Sequence, residues 1–341
     1  MIDTIKIYCQ INKNIYYTIK SNSIVKSAID YNSGDLIYDI VNDSLEGSYS
    51  SSLSVRVNCG SKYHFCNLGY YLEIEGSYHK IVNGYNSHNG YYDFQFVVEN
   101  LIRLVELAYN IKLPNLKNWY LSRCDISICY DLKTQDNVKR YINSLKHCSY
   151  PRRKPQFYYN QSFYLSGTTT TLKIYNKLLE FNKHDRKKFV NTNFDLISYE
   201  NTIQGFVRFE IEIKKRFLEK IYNKNLICVL DVKYEDLRSI WSDEFMKLLK
   251  FVKSDLEIVR GREKVLERLK KLYKPCKANR LYNFYCSIQL NGVDNLKNFM
   301  SSSTYYDNLK DLENSGIDIS QCYNVKDEII DFNPFDWQEV S

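Results

Sequence analysis

Three segments of this 341-residue chain alternate between polar and apolar side chains. They are Leu72–Gly76, Leu121–Cys129 and Gly205–Lys214. Successive side chains of a β-strand point to opposite faces of a sheet, so each segment predicts a strand with one polar and one apolar face. The predicted polar faces carry Glu73, Glu75, Arg123, Asp125, Ser127, Arg208, Glu210, Glu212 and Lys214.

The region from residue 1 to about residue 225 combines such strands with a few helices. Phe94–Asn110 carries apolar residues at helical spacing, and Asn137–Lys146 predicts a shorter helix that Asp136 opens. This mixture is typical of an α+β fold, in which helices flank a largely antiparallel central sheet. We therefore predict a first domain over residues 1–225.

From residue 226 onwards the pattern becomes helical. Apolar residues keep helical spacing from Trp241 to Tyr273, and Pro275 ends the run. Three short helices are predicted over Asn279–Gln321, and the middle of this stretch resembles a helix-turn-helix. Residues 226–341 are therefore predicted to form a helical domain for DNA binding or an accessory role, although such helix pairs are also common packing units.

The carboxylates on the predicted polar faces indicate one kind of site. If the three strands are neighbours, Asp125, Glu210 and Glu73 converge as oxygen ligands. Hard divalent cations such as Mg²⁺ and Mn²⁺ prefer oxygen ligands. A second interpretation stays open, because an antiparallel sheet with one wet face carries cross-strand ion pairs in the same pattern.

A fourth segment places a tyrosine between two lysines. Lys173, Tyr175 and Lys177 occupy alternate positions just before a predicted helix start. Neighbouring cations favour the phenolate, which is the form that attacks phosphorus. Because the chain has 31 tyrosines, this spacing alone does not distinguish a nucleophile from a packing residue.

Composition and charge narrow the class of protein. The formal net charge is +7, and short basic clusters can follow a phosphate backbone, although a single cluster is also typical of a solvated turn. The ten cysteines show no CxxC spacing, which favours reduced thiols, and no apolar run approaches the about 20 residues that cross a bilayer. We expect a soluble, cytoplasmic protein with no membrane partner. The short basic clusters of the chain are Arg152–Lys154, Arg186–Lys188 and Lys214–Arg216.

Five ordered blocks of the first domain resemble the gene II replication proteins of filamentous bacteriophages and their relatives on small bacterial plasmids. In the second domain, Asn279–Tyr285, Gly292 and Thr304–Gly316 are similar to the carboxy-terminal region of that family. Several blocks in the same order are more specific than any one of them. The five blocks are Met1–Asp3, Leu72–Ser77 with Lys80 and Gly84–Asn86, Leu121–Asp125, Thr171–Lys177 followed by Glu180, and Gly205–Lys214.

The resemblance implies a rolling-circle replication initiator that nicks and rejoins one strand at an origin. In the family, a tyrosine of a Tyr-x-Lys block attacks the strand, holds the 5′ phosphate and leaves a free 3′ hydroxyl. That block is Tyr175–Lys177 here, so the resemblance implies Tyr175 as the nucleophile and Lys177 as a catalytic partner. It also agrees with a Mg²⁺ or Mn²⁺ ion that offsets developing charge on the phosphate.

The implied partners are duplex origin DNA, single-stranded DNA, and a host helicase and polymerase in the bacterial cytoplasm. Basic and amide residues of the matching blocks are the candidates for DNA binding, namely Lys80, Asn86, Arg123, Lys173, Arg208 and Lys214. Aromatic residues of the first domain are candidates for base stacking on a melted strand, although burial in the core is the more common use of strand aromatics. They are Phe157, Tyr158, Tyr159, Phe163 and Tyr164.

One feature departs from the wider group of tyrosine rolling-circle nucleases. Many of those bind metal through a His-x-His pair, and none of the five histidines of this chain forms one. This favours a carboxylate-based metal site and ranks a conjugative or mobilising relaxase lower. Two further interpretations stay open, namely a non-catalytic origin-binding replication factor and a structural β-rich protein.

Overall fold

A computed structural model describes residues 1–29, 36–45, 53–59, 69–145, 150, 153, 155–255, 262–291, 296, 299–317 and 339–340. Within these ranges the chain forms the predicted α+β fold, with eleven strands in one sheet. The strands are β1 Ile2–Ile11, β2 Ile24–Ile29, β3 Leu36–Leu45, β4 Leu53–Cys59, β5 Tyr70–Gly76, β6 Trp119–Asp131, β7 Pro155–Tyr158, β8 Ser162–Ser166, β9 Thr170–Asn176, β10 Phe206–Lys214 and β11 Glu339–Val340.

Helices lie between and after the strands. Short 3₁₀ helices at Leu116–Asn118 and Val229–Asp231 precede β6 and the first long carboxy-terminal helix. The helices are α1 Lys13–Ser21, α2 Tyr78–Asn83, α3 Phe94–Tyr109, α4 Gln135–Ser144, α5 Lys177–His184, α6 Arg186–Phe189, α7 Leu196–Ile203, α8 Lys215–Tyr222, α9 Tyr234–Asp255, α10 Arg262–Leu272, α11 Pro275–Asn291 and α12 Ser302–Asn314.

The strand order determines which chemical groups meet. Ten strands follow the order β2-β3-β4-β5-β1-β6-β10-β9-β8-β7, and β11 pairs with β6. All of these pairings are antiparallel, as the sequence predicts. The three segments that carry alternating charges become β5, β6 and β10, but β1 separates β5 from β6.

The apolar face of the central strands packs against helices. Phe209 of β10 lies among the rings of Tyr130, Tyr141 and Phe245, with centroid distances of 5.5, 5.7 and 5.2 Å. The indole N–H of Trp241 donates to the Phe209 carbonyl oxygen at 3.2 Å. Because α4 and α9 supply these contacts, they cover the apolar face, and the polar face is covered by other segments.

The chain divides into two compact units. The first comprises Met1–Asn143, Tyr150–Lys247 and Phe335–Ser341, and the second comprises Ser144–Ser149 and Leu248–Pro334. The first unit extends past the predicted boundary at residue 225, because residues 226–245 contribute buried side chains and hydrogen bonds to the sheet.

The second unit has a helical core of its own. Side chains of α10, α11 and α12 form it, including Leu269, Leu281 and Leu312, each of which is fully buried. Part of the predicted helix-turn-helix lies outside the described residues, as does Gly292 of the carboxy-terminal resemblance. The role of this unit in DNA binding therefore stays a prediction.

Candidate active site

The polar side of the sheet is continuous across β6, β10 and β9. In the strand register, Glu210 lies opposite Ser127 on one side and Lys173 on the other, and Arg208 lies opposite Tyr175. Residues that lie opposite each other in antiparallel strands point to the same face. The pairing therefore brings the predicted tyrosine, lysine and carboxylate together on one surface.

The hydroxyl group of Tyr175 is enclosed by this surface. The residue is 7% exposed. Its hydroxyl donates a hydrogen bond to Glu210 Oε2 at 3.0 Å, and Asn86 Nδ2 donates to the same hydroxyl at 3.4 Å. Burial raises the pKa of Tyr175 well above its ordinary value, with Glu210 acting in the same direction and Arg208 against it. The phenol is held protonated, with its proton directed at a carboxylate.

The environment of Lys177 differs from the prediction. Asn176 caps α5 by accepting a hydrogen bond from the Leu179 N–H at 3.2 Å, so Lys177 is the first residue of a helix and no longer follows the strand alternation. Its ammonium group donates to Glu180 Oε2 at 2.7 Å and to the Asn86 carbonyl oxygen. Burial lowers the pKa of this fully buried lysine, against the effect of Glu180.

The expected phenolate between two ammonium groups is therefore wrong. Lys173 is paired with Glu210 and Lys177 with Glu180, so the positive charge of each lysine is offset by a carboxylate. The carboxylate that accepts from Tyr175 opposes ionisation of the phenol.

Asn86 is held in place by its neighbours in space. Gly84 ends α2 with a φ of 77°, a left-handed conformation that favours glycine, and the chain then turns over the polar face. The Asn86 N–H donates to Asp185 Oδ2 at 3.1 Å. Its Nδ2 also donates to Glu180 Oε1 at 3.1 Å, in addition to the Tyr175 contact. Tyr85, which lies between Gly84 and Asn86 in the chain, packs among aromatic rings of α5, α6 and α7.

Three carboxylates surround the ammonium group of Lys173. The distances from its Nζ are 2.7 Å to Glu210, 3.7 Å to Asp125 and 3.8 Å to Glu212. Asp125 also accepts two hydrogen bonds from Arg123, at 2.8 and 2.6 Å. Oxygen donors of the type that Mg²⁺ and Mn²⁺ prefer thus converge at a point that the ammonium group of Lys173 occupies.

The pKa values of two of these carboxyl groups, Asp125 and Glu210, are shifted in opposite directions. Burial raises the pKa of Asp125 to about 6, with Glu210 acting in the same direction and Arg123 and Lys173 against it. Burial also opposes ionisation of Glu210, but the combined positive charges of Lys173, Lys80 and Arg208 outweigh it, and the pKa of Glu210 is lowered. Glu210 is therefore ionised at neutral pH and available to accept a proton.

Glu73 does not join this group. It lies on β5, where its carboxylate contacts Lys6 Nζ at 2.8 Å and Arg56 at 3.5 Å. The expected convergence with Asp125 and Glu210 is wrong because β1 separates β5 from β6. Within the described residues, no three His, Cys, Asp or Glu side chains are grouped closely enough to hold a metal ion by themselves.

The amino-terminal part of the chain matches a family of known replication proteins. Residues 1–236 match the Phage CRI family model, which describes the amino-terminal region of a replication-associated protein and covers more than half of the chain. This chain belongs to the Phage CRI family of replication-associated proteins. Tyr175, Glu210, Asn86 and the residues that surround them lie inside the matched region, so the candidate site is part of the Phage CRI domain. The resemblance to gene II proteins is thereby confirmed, and with it a role in DNA replication.

Two further comparisons add no functional argument. No curated protein matches this chain. A solved structure, the di-domain ARO/CYC BexL from the BE-7585A biosynthetic pathway, is similar over 68% of this chain and 79% of its own, with 10% identity and a TM-score of 0.21. A TM-score that low carries no conclusion about fold or function.

Arg208 is placed differently from the DNA-binding prediction. Its guanidinium is fully buried in this Phage CRI domain, where it donates to the Ser87 carbonyl oxygen, Asp3 Oδ2 and Ser127 Oγ, each at 2.7 Å. Lys80 also contacts Asp3, at 2.9 Å. Because the Arg208 side chain has no exposed surface, the structure contradicts a direct DNA contact by this residue.

The other predicted DNA-binding residues are partly accessible. The side chains of Arg123, Lys173 and Lys214 are 26%, 20% and 34% exposed and lie along one strip of the polar face. Lys214 donates to the Gly167 carbonyl oxygen at 2.7 Å. The Lys80 side chain is 18% exposed, whereas Asn86 is buried. DNA binding by these residues stays a prediction.

The predicted stacking aromatics fall into two groups. Phe163 is fully buried, whereas Tyr158 and Tyr159 are 52% and 60% exposed. The rings of Tyr158 and Tyr164 meet edge to face with centroids 5.9 Å apart. Tyr158 lies opposite Ser162, which in turn lies opposite Tyr175. Exposed aromatic surface therefore lies on the same face as Tyr175, two strands away.

Each of the three basic clusters has at least one residue in an ion pair. Arg153 contacts Glu244 at 2.8 Å, and Arg186 contacts Glu200 at 2.6 Å. Arg152 and Lys154 lie outside the described residues.

Among the described helices, none has the length and apolarity to cross a membrane.

Sequence reasoning missed four polar residues of this network. Asp3, His79, Glu180 and Asp185 lie inside or beside the matching blocks, but no periodicity marks them as partners of Tyr175 or Asn86. Glu180 was detectable, because a carboxylate three residues after Lys177 on a helix lies within reach of its ammonium group. Asp185 contacts Asn86, 99 residues away, and local pattern contains no signal for such a contact.

Proposed function

We propose that this protein initiates rolling-circle replication by nicking one strand of origin DNA with Tyr175. The observation that carries the proposal is the hydrogen bond of 3.0 Å from the Tyr175 hydroxyl to Glu210 Oε2, within a Phage CRI domain. A phenol whose proton points at an ionised carboxylate has the arrangement of a nucleophile and its general base. The protein would act in the cytoplasm of a bacterial host, with the host helicase and polymerase as partners.

The proposed nicking step is a transesterification. Tyr175 Oη forms a bond to the phosphorus while the bond from phosphorus to O3′ breaks, and the electron pair of that bond goes to O3′. The Tyr175 proton moves to Glu210, and the leaving O3′ takes up a proton to give the free 3′ hydroxyl. The 5′ phosphate stays on the tyrosine, and the reverse reaction rejoins the strand.

We propose Mg²⁺ or Mn²⁺ as the cofactor, with Asp125 and Glu210 as ligands and Glu212 beside them. Carboxylate oxygens are the ligand type that a hard divalent cation prefers, and the ammonium group of Lys173 occupies the point where they converge. A cation bound there requires Lys173 to move aside, after which its ammonium is available to a DNA phosphate. When bound, the metal would polarise the phosphate oxygens.

Two parts of the molecule support a division of DNA binding. The exposed ring of Tyr158 and the partly buried ring of Tyr164 lie on the Tyr175 face and suit stacking of unpaired bases. The helical second unit is the proposed contact with duplex origin DNA. Lys173, Arg123, Lys214 and Lys80 are the proposed contacts with the backbone near the site.

The test is covalent trapping on an oligonucleotide that carries the origin nick site. Tyr175→Phe removes the hydroxyl and should abolish nicking of supercoiled origin plasmid, with origin affinity retained. Tyr159→Phe is the matched control, since it removes an exposed hydroxyl and should nick normally. Mass spectrometry should find the nucleotide adduct on Tyr175, and an adduct on another residue would overturn the assignment.

A non-catalytic origin-binding factor is the second candidate, and one observation favours it. Tyr175 is 7% exposed, so its hydroxyl is enclosed in the absence of DNA. If this enclosure persists in the DNA complex, the protein binds the origin without cutting it. Normal origin binding with no nicking by the wild-type protein in Mg²⁺ or Mn²⁺ would support this candidate over the nickase.

A further inference from the structure

The Tyr175 oxygen has a defined set of neighbours in the first unit. Its proton goes to Glu210, and Asn86 Nδ2 approaches one of the oxygen lone pairs at 3.4 Å. A phenol oxygen with its proton and one lone pair engaged has one lone pair left for attack on phosphorus. The Asn86 contact therefore fixes the direction in which the nucleophile can react.

The orientation of the Asn86 amide follows from its other contacts. Glu180 Oε1 lies 3.1 Å from the same Nδ2, and an ionised carboxylate only accepts hydrogen bonds. The NH₂ group must therefore face Glu180 and Tyr175, and Oδ1 faces His79 Nε2 at 3.3 Å. Both N–H groups of the amide are thus assigned, one to each oxygen.

The backbone of this segment is fixed from three sides. The Asn86 N–H is bound by Asp185, its carbonyl oxygen accepts from Lys177, and the next carbonyl oxygen, of Ser87, accepts from Arg208 at 2.7 Å. A donor that is held before the substrate arrives needs no reorganisation during the reaction, which is the condition for effective charge stabilisation.

We propose that Asn86 is a catalytic residue and that Lys177 is a positioning residue that acts through it. The inference rests on the proposed function of Tyr175. In nicking, the Asn86 N–H orients the oxygen for attack. In rejoining, O3′ loses its proton to solvent and forms a bond to phosphorus while the bond between phosphorus and Oη breaks. The electron pair returns to Oη, and the same N–H stabilises the phenolate that leaves until Glu210 returns its proton.

The contacts of Lys177 favour a positioning role through Asn86 over direct stabilisation of the Tyr175 phenolate. Its ammonium group is engaged by Glu180 and by the Asn86 carbonyl oxygen, and the residue is fully buried. A lysine that stabilised the phenolate directly would need a contact with the phenol oxygen, whereas this one contacts the residue that supplies the N–H.

The first experiment measures single-turnover nicking and rejoining at saturating origin DNA. Asn86→Ala should slow both reactions about 10- to 100-fold, because it removes one hydrogen bond to an oxygen that gains charge. Asn86→Asp should slow them more, since it places a carboxylate against Glu180 and the phenol. The lost buried hydrogen bonds should lower the melting temperature. Origin affinity should stay near the wild-type value, and circular dichroism at the assay temperature should show a folded protein, which separates the effect from misfolding. Asn89→Ala is the matched control, as an exposed asparagine of the same segment.

The second experiment is a double-mutant cycle with Lys177→Met. If Lys177 acts through Asn86, it should slow nicking in the wild-type background and add less than about 3-fold in the Asn86→Ala background. Independent, multiplying effects would overturn the positioning role. If Lys177→Met does not fold, Asp185→Asn replaces it in the same cycle, because Asp185 also holds the Asn86 backbone.

The outcomes separate this inference from the function on which it rests. Normal nicking by Tyr175→Phe would overturn the proposed function. Loss of nicking in Tyr175→Phe together with wild-type rates in Asn86→Ala would overturn only the role of Asn86.

Discussion

The polar face of the sheet has two halves with the same sequence pattern and different surroundings. In the outer half, on β1, β4 and β5, Lys6 contacts Glu73 at 2.8 Å and Glu75 at 3.2 Å, and Arg56 contacts Glu73 at 3.5 Å. These basic side chains are 22% and 40% exposed, as in an ordinary ladder of cross-strand ion pairs. The outer half therefore matches the simpler interpretation of alternating charges.

In the inner half, on β6, β9 and β10, further segments cover the strands. Residues 77–90 and α5 bring Asn86 and Lys177 over the sheet, so that Tyr175 and Arg208 are enclosed. Enclosure lowers the local dielectric constant, so each charge and hydrogen bond has a larger effect than in the outer half. A charged strand becomes a candidate site here because other parts of the chain cover it.

The largest expected difference between the halves concerns a pair of carboxylates. Glu210→Gln should reduce nicking by about 10²- to 10⁴-fold, because the Tyr175 proton loses its acceptor. Glu73→Gln makes the same chemical change in the outer half and should leave the rate within about twofold. Rates of origin-plasmid nicking measure both, and equal losses would show that the site extends across β1.

Removal of an arginine should separate the halves by stability. Arg208→Met leaves the buried Asp3 carboxylate without one of its cations, which should lower the free energy of unfolding by about 3–5 kcal/mol. Arg56→Met removes a half-exposed partner and should cost less than about 1 kcal/mol. Urea unfolding measures both values. Similar small losses would mean that the inner network is less enclosed than the structure shows.

Acid titration should test the enclosure of His79. Burial lowers the pKa of His79 to about 3, opposed by Asp3, so the unfolded chain takes up a proton below about pH 6.5 while the folded chain does not. The stability that the neutral imidazole contributes is fully present above that pH and is lost as the pH falls towards 3, by up to about 5 kcal/mol. His79→Gln should flatten this part of the pH dependence of unfolding.

The exposed His184 is the matched control for that titration, since its replacement by Gln removes no buried hydrogen bond. An unchanged curve in His79→Gln would contradict the enclosure.

The smallest expected effect concerns the tyrosines at the edge of the inner half. Tyr158→Ala should weaken binding of a single-stranded origin oligonucleotide by about 1–3 kcal/mol, the range for loss of one base stack. Tyr17→Ala removes a similarly exposed ring of α1 and should not change the affinity. Fluorescence anisotropy checks both, and equal losses would place the single strand elsewhere.

Alternation in sequence predicted much of the inner half correctly. Arg208, Glu210 and Glu212 face the same side as Asp125 because the side-chain period of a strand is two residues, and this holds whatever the neighbouring strand is. Glu73 has the same local signal as Glu210. Its different partners depend on strand order, which puts β1 between β5 and β6, and a local pattern carries no information on that order.

Lys177 shows a second limit of local pattern. Its spacing from Tyr175 predicts a shared strand face, but the Asn176 cap begins a helix at that residue and turns its side chain towards Glu180. Asparagine is a favoured cap residue, so the helix start was recognisable from the sequence. The direction of the Lys177 side chain depended on whether the strand period or the helix period applied at that residue.

The sequence by itself determined the α+β class, the polar and apolar faces of the central strands, and the family blocks that contain Tyr175. These follow from side-chain periodicity and from local wording, which are properties of neighbouring residues. Folding was needed to direct the Tyr175 proton at Glu210, to bury Arg208 and to bring Asn86 to the Tyr175 oxygen. Those properties depend on burial and on contacts between residues up to 205 positions apart, such as Asp3 and Arg208, which chain folding alone brings together.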